Sequence, residues 1–277
     1  ALVWSSRRWI VPPRVIFEPP HEEHVEQVRF RTDDGVGLRG WLMAGRPGWP
    51  AIILCHGYQR CMEEPFGLAV DLRERGFSVM LFDFRGCGRS GGRYTTIGHH
   101  EPRDLLAAIG WLRRRVGSAV PIGLYGISMG GAVAIEVGAH SPEVAAVVAD
   151  SAFSHLSGAV EHRFSSLGTL NLLLHRATMR IAERLCDGRV ADVRPVDEVG
   201  RIAPRPLLLI HGGRDDIVPL SQFEELCAGA REPVEHWLLP GTTHAMARLD
   251  APEAYLERVA GFFEQALRRE PDAVAAG

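Results

Sequence analysis

The sequence predicts an α/β fold whose core is a mostly parallel, doubly wound sheet. Apolar runs of strand length alternate along the chain with helical segments that are long enough for crossover connections. Several of the runs are apolar throughout, as is typical of strands that are buried on both faces. Many of them end at a polar or glycine-rich turn, and ligands bind at that edge of an open α/β sheet.

The composition is that of an ordinary globular protein. Of the 277 residues, 46% are hydrophobic and 23% are charged, which permits a large core. A formal net charge of -3 argues against a nucleic-acid partner. The five cysteines are odd in number and form no C-x-x-C pair, so we expect free thiols and no metal site. No apolar run approaches the length of a membrane span.

Residues 1–24 are predicted to form an N-terminal arm that two proline pairs interrupt. Its tryptophans and the pair Arg7-Arg8 suit either packing on the body or association with a membrane interface. The first residue is not methionine. We therefore expect that the chain is either what remains after an N-terminal anchor or signal is removed, or a segment that starts at an arbitrary boundary. We therefore expect a cytoplasmic protein, or one peripheral to a membrane if an anchor has been removed. The oligomeric state is not predicted.

The predicted elements begin with an antiparallel hairpin at the edge of the sheet. Residues 25–31 alternate between apolar and polar side chains, and residues 38–43 return after the turn Asp33-Asp34-Gly35. The run after Pro121 is also a strand, and further strands are expected at residues 51–54, 77–82, 144–148, 206–210 and 234–239. Helices are expected at residues 68–75, 101–116, 132–137 and 252–269.

We assign residues 25–150 and 201–270 to the α/β core and residues 271–277 to a flexible tail. Residues 151–200 interrupt the alternation, because they have helical character and contain no obvious strand. One interpretation is a small helical cap over the carboxyl edge of the sheet, where it would shape a pocket for an acyl or alcohol group. The other interpretation is a longer crossover that packs on the sheet. We favour the cap.

The sequence from Gly126 to Gly130, Gly-Ile-Ser-Met-Gly, lies between a strand and a helix, which is the context that a nucleophile elbow requires. So tight a turn strains the serine backbone and leaves room only for glycine two positions before and after it. It would lift the Ser128 hydroxyl clear of the sheet and aim the Met129 amide at a developing oxyanion. Because the motif is common by chance, an ordinary strand-to-helix turn is the alternative.

A serine becomes a good nucleophile when a base removes its proton and a buried carboxylate orients that base. Asp215 and Asp216 follow one predicted strand, and His244 follows the next strand along the chain. The chain order Ser, Asp, His is the one expected when a nucleophile elbow comes first. Three such residue types, each at a strand end, are more specific than the serine motif alone.

Each of these assignments has a competitor in the sequence. Asp150 ends an earlier strand and is an alternative acid. His56 and His211 lie in His-Gly turns, where we expect them to form structural hydrogen bonds rather than to act as the base.

These motifs resemble those of the α/β-hydrolase superfamily, within it the small esterases and peptidase-like serine hydrolases, over residues 25–267. The elbow around Ser128 matches the family's nucleophile turn. His56-Gly57-Tyr58 matches its oxyanion turn, which implies that the Tyr58 amide joins that of Met129. Further matches are a structural loop, the acid turn and the base turn, at residues 83–90, 211–219 and 241–244. In the family, the acid stands three residues before the valine of this turn, here Val218, so the resemblance implies Asp215 rather than Asp216. It implies no cofactor.

The expected activity is that of a serine hydrolase acting on small carboxylic esters with short to medium acyl chains. Ser128 would be the nucleophile, His244 the base and Asp215 the orienting acid, with the Tyr58 and Met129 amides as the oxyanion hole. Thioesterases, feruloyl-type esterases and serine peptidases or amidases use the same chemistry and remain alternatives. A non-catalytic binding protein on the same fold is the alternative outside enzymes.

Overall fold

The computed structural model describes residues 7–19, 24–164 and 169–267, without the side chains of residues 164 and 169–176. Its strands are β1 (Glu26–Arg31), β2 (Gly37–Met43), β3 (Ala51–Cys55), β4 (Ser78–Asp83), β5 (Ile122–Ile127), β6 (Val144–Asp150), β7 (Leu207–Gly212) and β8 (Val234–Leu239). Its helices are α1 (Phe66–Glu74), α2 (Glu101–Val116), α3 (Met129–His140), α4 (Leu156–Phe164), α5 (Thr169–Cys186), α6 (Leu220–Gly229), α7 (Ala247–Asp250) and α8 (Pro252–Leu267).

The eight strands form one sheet in the order β1-β2-β4-β3-β5-β6-β7-β8. Strand β2 runs antiparallel to both of its neighbours, and every pair from β4 to β8 is parallel. The predicted mostly parallel sheet with an N-terminal antiparallel hairpin is therefore confirmed. Parallel neighbours bring the ends of β3, β5, β6, β7 and β8 to one edge, where the candidate site residues lie.

Helices cover both faces of the sheet. One buried apolar cluster combines strand residues with Leu105 of α2, Val133 of α3 and Phe223 of α6. A second cluster, on the opposite face, combines strand residues with Leu72 of α1 and Val259 of α8. Alternate residues of the central strand β3 belong to the two clusters, which explains why its sequence is apolar throughout.

The predicted helical insertion lies between β6 and β7. It holds α4 and α5 and three short 3₁₀ turns, with no strand among its described residues. The insertion is tied to the core by Val193 and Val199, which are buried in the first cluster. A hydrogen bond from the Leu156 amide to the Val193 carbonyl holds its two ends together.

Two helices, α6 and α7, are not predicted by the sequence. Helix α6 buries only Phe223 and Leu226 among its large apolar residues, so its apolar stripe is too short to stand out. Helix α7 is a single turn. Helix α6 nevertheless lies in the connection between the parallel strands β7 and β8, and such a crossover requires a segment of this length.

The described part of the N-terminal arm packs on the body. Ile10 is buried and its carbonyl accepts a hydrogen bond from the Thr95 amide. The Arg14 guanidinium donates to carbonyl oxygens of the glycine-rich loop that follows β4. The Phe17 ring contacts Trp41 and Phe66. Among the described residues, no helix combines the length and the apolar character that crossing a bilayer would require.

Candidate active site

The turn between β5 and α3 is strained at Ser128, which has φ 52° and ψ -115°. A Cβ at Gly126 would lie 2.1 Å from the Gly130 carbonyl oxygen, and a Cβ at Gly130 would lie 2.4 Å from the Cys55 carbonyl oxygen. Both positions therefore require glycine. Ser128 is half-buried, and its amide donates to the Asp150 carbonyl at 2.8 Å.

The structure brings the side chains of Ser128, His244 and Asp215 into one hydrogen-bonded line. Nε2 of His244 lies 3.0 Å from Oγ of Ser128, and Nδ1 lies 2.6 Å from Oδ2 of Asp215. An ionised carboxylate only accepts hydrogen bonds, so Nδ1 carries the proton and Nε2 offers its lone pair to the serine. The Asp215 side chain is fully buried and that of His244 is 14% exposed.

Backbone amides fix the Asp215 carboxylate. Its Oδ1 accepts from the amides of Ile217 and Val218 at 2.9 and 2.8 Å, which leaves Oδ2 for the imidazole. His211 holds the same turn by donating from Nε2 to the Val218 carbonyl at 3.1 Å. Burial lowers the pKa of His211, which favours the neutral form of this ring. The neighbouring Asp216 is exposed.

Met129 is the first residue of α3, so its amide has no intrahelical partner. Tyr58 lies on the turn after β3 and, with Ser128 and His244, lines one cavity. The neighbouring Gly57 amide is engaged, because it donates to Oε2 of Glu64 at 2.6 Å. The geometry therefore leaves the Met129 and Tyr58 amides as the candidates for binding an oxyanion.

Comparison with known proteins shows the family of this chain. A family model described as the alpha/beta hydrolase fold matches residues 50–172. An uncharacterized protein of Mycobacterium tuberculosis is 33% identical over 256 residues, which cover 87% of this chain and 82% of that protein. The chain belongs to the α/β-hydrolase superfamily.

Two further relatives carry descriptions of activity. The α/β-hydrolase chain superposes on the esterase Pf2001 of Pyrococcus furiosus with a TM-score of 0.78 and 28% identity, covering 93% of this chain and 99% of that one. The thiohydrolase aneE of Aspergillus aculeatus is 36% identical over 118 residues, which are 41% of this chain and 37% of that protein.

The cavity of this α/β-hydrolase has a volume of about 830 Å³ and opens onto Ser128. Its wall combines the arm at Val15, the loop after β3, and the base turn with helix α7. Exposed apolar side chains at its rim are Val15, Ile217, Met246 and Leu249. Among residues with described side chains, the wall includes none from 151–200, so a pocket-shaping role for the insertion stays a prediction.

The competing residues have other partners. Asp150 accepts from Tyr255 and Ser151, and burial raises the pKa of this carboxyl to about 6. Nε2 of His56 accepts from the Phe84 amide at 3.0 Å, which leaves Nδ1 to donate to the Gly57 carbonyl. His56 therefore forms structural hydrogen bonds in the turn after β3, as the sequence predicts. The described residues contain no group of three or more side chains suited to a metal ion.

Several residues of this α/β-hydrolase site are not found by sequence reasoning. The Glu64 side chain accepts from the Gly57 amide seven residues earlier. Trp9 and Tyr255 bond to Tyr58 and Asp150, from which they are 49 and 105 residues away in the chain. None of them stands in a recognisable motif. The sequence carries a signal only for their neighbour Asp150, whose position at a strand end makes it an alternative acid.

Proposed function

We propose that this α/β-hydrolase cleaves carboxylic esters through an acyl-enzyme formed on Ser128. One observation carries the proposal: a continuous line runs from the serine hydroxyl through His244 to Asp215, with distances of 3.0 and 2.6 Å. A serine activated in this way attacks acyl carbonyls. The strained backbone of Ser128 supports the same conclusion, because such strain is typical of functional sites.

In the proposed reaction, Nε2 of His244 takes the Ser128 proton while Oγ attacks the ester carbonyl. Asp215 stays ionised, keeps the proton on Nδ1 and stabilises the imidazolium that forms. The imidazolium then gives its Nε2 proton to the leaving alcohol as the tetrahedral intermediate collapses to an acyl-serine. Water loses a proton to the same nitrogen, attacks the acyl group and releases the carboxylic acid. Ser128 recovers its proton at the end of the cycle.

The Met129 and Tyr58 amides are proposed to bind the oxyanion of the tetrahedral intermediate. Removing one such donor typically costs about 10²- to 10³-fold in rate. The positive end of α3 adds to the stabilisation, because Met129 stands at its N-terminus.

The cavity supports a small, largely apolar acyl substrate. Its volume of about 830 Å³ is that of a small-molecule site, and its rim carries aliphatic side chains from the arm, the acid turn and helix α7. Similarity to a protein described as an esterase of Pyrococcus furiosus supports an ester substrate, and we propose short to medium acyl chains because of the size of the cavity. A thioester is the second candidate, because one relative is described as a thiohydrolase.

The test is a substrate panel with a covalent probe. We expect a fluorophosphonate to label the wild-type protein and not Ser128→Ala. We expect p-nitrophenyl esters of two to eight carbons to react faster than an acyl thioester of the same length or an aminoacyl nitroanilide. Faster turnover of the thioester would select the second candidate, and faster turnover of the anilide would indicate an amidase. A folded protein that neither reacts with the probe nor turns over any substrate would exclude a serine hydrolase.

A further inference from the structure

Strained backbone clusters around the site. Six described non-glycine residues have positive φ, and four of them, Gln59, Ser128, Ser151 and Ala245, belong to turns that form the site. A residue keeps such a conformation only where its surroundings fix it. Ser128 is the proposed nucleophile and Ala245 follows the proposed base, but the proposed reaction assigns no role to Ser151.

Ser151 and its neighbour Asp150 connect the two strained turns. The Asp150 carbonyl accepts from the Ser128 amide at 2.8 Å, and Oγ of Ser151 accepts from the Ala245 amide at 3.1 Å. The Ser151 amide itself donates to the Ile210 carbonyl of β7, the strand that leads to Asp215. One dipeptide at the end of β6 thus contacts the nucleophile turn, the base turn and the strand before the acid turn.

The Asp150 carboxylate sets the direction of the Ser151 hydroxyl. Oγ of Ser151 has one hydrogen, which it donates to Oδ1 of Asp150 at 2.8 Å, so a lone pair faces the Ala245 amide. Oδ2 of Asp150 accepts from the Tyr255 hydroxyl at 2.6 Å, and that hydroxyl in turn lies 2.7 Å from the hydroxyl of Tyr125. All four side chains belong to buried residues. In such an interior, neighbouring hydrogen bonds polarise and so strengthen one another.

We propose that Ser151, oriented by Asp150, is a positioning residue for the reaction. Its hydroxyl anchors the turn of His244 and Ala245, and so keeps the imidazole within 3.0 Å of Oγ of Ser128. This inference rests on the proposed function. A base that drifts from its productive position slows the chemical step while leaving substrate binding largely intact, so the turnover number and not KM should respond.

The first test compares Ser151→Ala with Ser154→Ala. Alanine keeps the Cβ, so the positive φ at 151 is no more strained than before and the change is confined to the hydroxyl. Ser154 lies on the same loop, is fully buried, and donates to Glu225 at 2.6 Å instead of contacting the base turn. Both variants lose a buried hydroxyl, and only Ser151→Ala loses the contact with Ala245.

We expect Ser151→Ala to lower kcat for a p-nitrophenyl ester about tenfold with KM changed less than about twofold, since the half-buried Ala245 amide loses its acceptor. Fluorophosphonate labelling should slow by the same factor. The low-field proton NMR signal of the bond between His244 and Asp215 should shift. In Ser154→Ala, kcat, KM and that signal should stay close to the wild type even where the melting temperature falls.

The second test is Tyr255→Phe, which keeps the ring and removes one donor to Asp150. We expect kcat to fall about threefold, and the double variant with Ser151→Ala to be no slower than Ser151→Ala alone, because the tyrosine acts through the serine. If Ser151→Ala does not fold, Tyr255→Phe decides: an unchanged kcat overturns the proposal.

Other outcomes are equally decisive. Equal kcat values for Ser151→Ala and Ser154→Ala would overturn the positioning role, and so would additive effects in the double variant. A wild-type protein that neither reacts with the probe nor hydrolyses any ester would instead overturn the proposed function.

Discussion

The hydroxyl of Tyr58 donates a 2.5 Å hydrogen bond to the carbonyl oxygen of Trp9, so the N-terminal arm holds the proposed oxyanion turn. A second bond, from the Gln59 side chain to the Arg8 carbonyl at 2.8 Å, strengthens the same contact. Gln59 has φ 57°, so this turn also needs external support. The arm is therefore part of the site's structure and not a detached extension.

The first prediction concerns that contact. Tyr58→Phe keeps the backbone amide and removes the bond to Trp9, so the oxyanion turn should loosen. We expect kcat to fall about threefold to tenfold, less than the loss of a whole oxyanion donor, because one hydrogen bond contributes about 1 kcal/mol. Steady-state kinetics with a p-nitrophenyl ester measures the effect. Tyr94→Phe, at another half-buried tyrosine, is the control and should leave kcat unchanged.

The second prediction concerns the orienting acid. Asp215→Asn should lower kcat by about 10⁴-fold. The asparagine side chain can donate to Nδ1 of His244 and so stabilise the wrong tautomer, and without a charge it no longer stabilises the imidazolium. Asp216→Asn, at the exposed neighbour, should change kcat less than about twofold, since it removes a solvated charge. If the two substitutions exchanged effects, Asp216 would be the acid and the assignment of Asp215 would be wrong.

The third prediction concerns the glycines of the elbow. Gly126→Ala should destabilise the fold by about 1–3 kcal/mol or more and abolish activity. The reason is that its Cβ would lie 2.1 Å from the Gly130 carbonyl oxygen, which is an overlap. In Gly261→Ala, on α8, the added Cβ would have open space around it, with no side chain beyond its two chain neighbours and no other element within 4 Å. That control should leave stability unchanged or raise it by up to about 1 kcal/mol, because alanine favours helix. Urea denaturation measures both, and equal effects would contradict the tight packing of the elbow.

The fourth prediction concerns Glu136 on α3. Burial, followed by repulsion from Glu198 and Glu101, raises the pKa of Glu136 from 4.5 to about 7. Between these two values the folded state binds more protons than the unfolded state, so this residue's contribution to stability falls as the pH rises and stays reduced above 7. Glu136→Gln keeps the neutral form at every pH. It should therefore raise the melting temperature more at pH 8 than at pH 5.

The control for that prediction is Glu161→Gln, at an exposed position of α4. Its effect on the melting temperature should be small and similar at the two pH values. A stabilisation by Glu136→Gln that is equal at pH 5 and pH 8 would show that the ionisation of Glu136 does not oppose folding.

The fold is largely predictable from the sequence, and the support of the site is not. Buried strands such as β3 are apolar throughout and end in polar turns, so the positions of Ser128, Asp215 and His244 at one sheet edge follow from local pattern and chain order. Helix α6 is missed because it buries few large side chains.

The role of Asp150 shows the limit of sequence reasoning. Its place at the end of β6 is readable, and it made Asp150 an alternative acid. In the structure, its carboxylate accepts a hydrogen bond from Tyr255, which lies 105 residues away on α8. The contact between Tyr58 and Trp9 likewise depends on how the arm packs. Such contacts are set by tertiary packing, and a single sequence carries no local signal for them.

The proposed function depends above all on Ser128 carrying the acyl group during turnover. The most direct test is to mix the protein with a p-nitrophenyl ester, quench with acid within one turnover, and measure the intact mass and the peptide map. We predict one acyl group, located on the peptide that contains Ser128, and none in Ser128→Ala. An acyl group on a different residue, or undiminished ester hydrolysis by Ser128→Ala, would contradict the proposal.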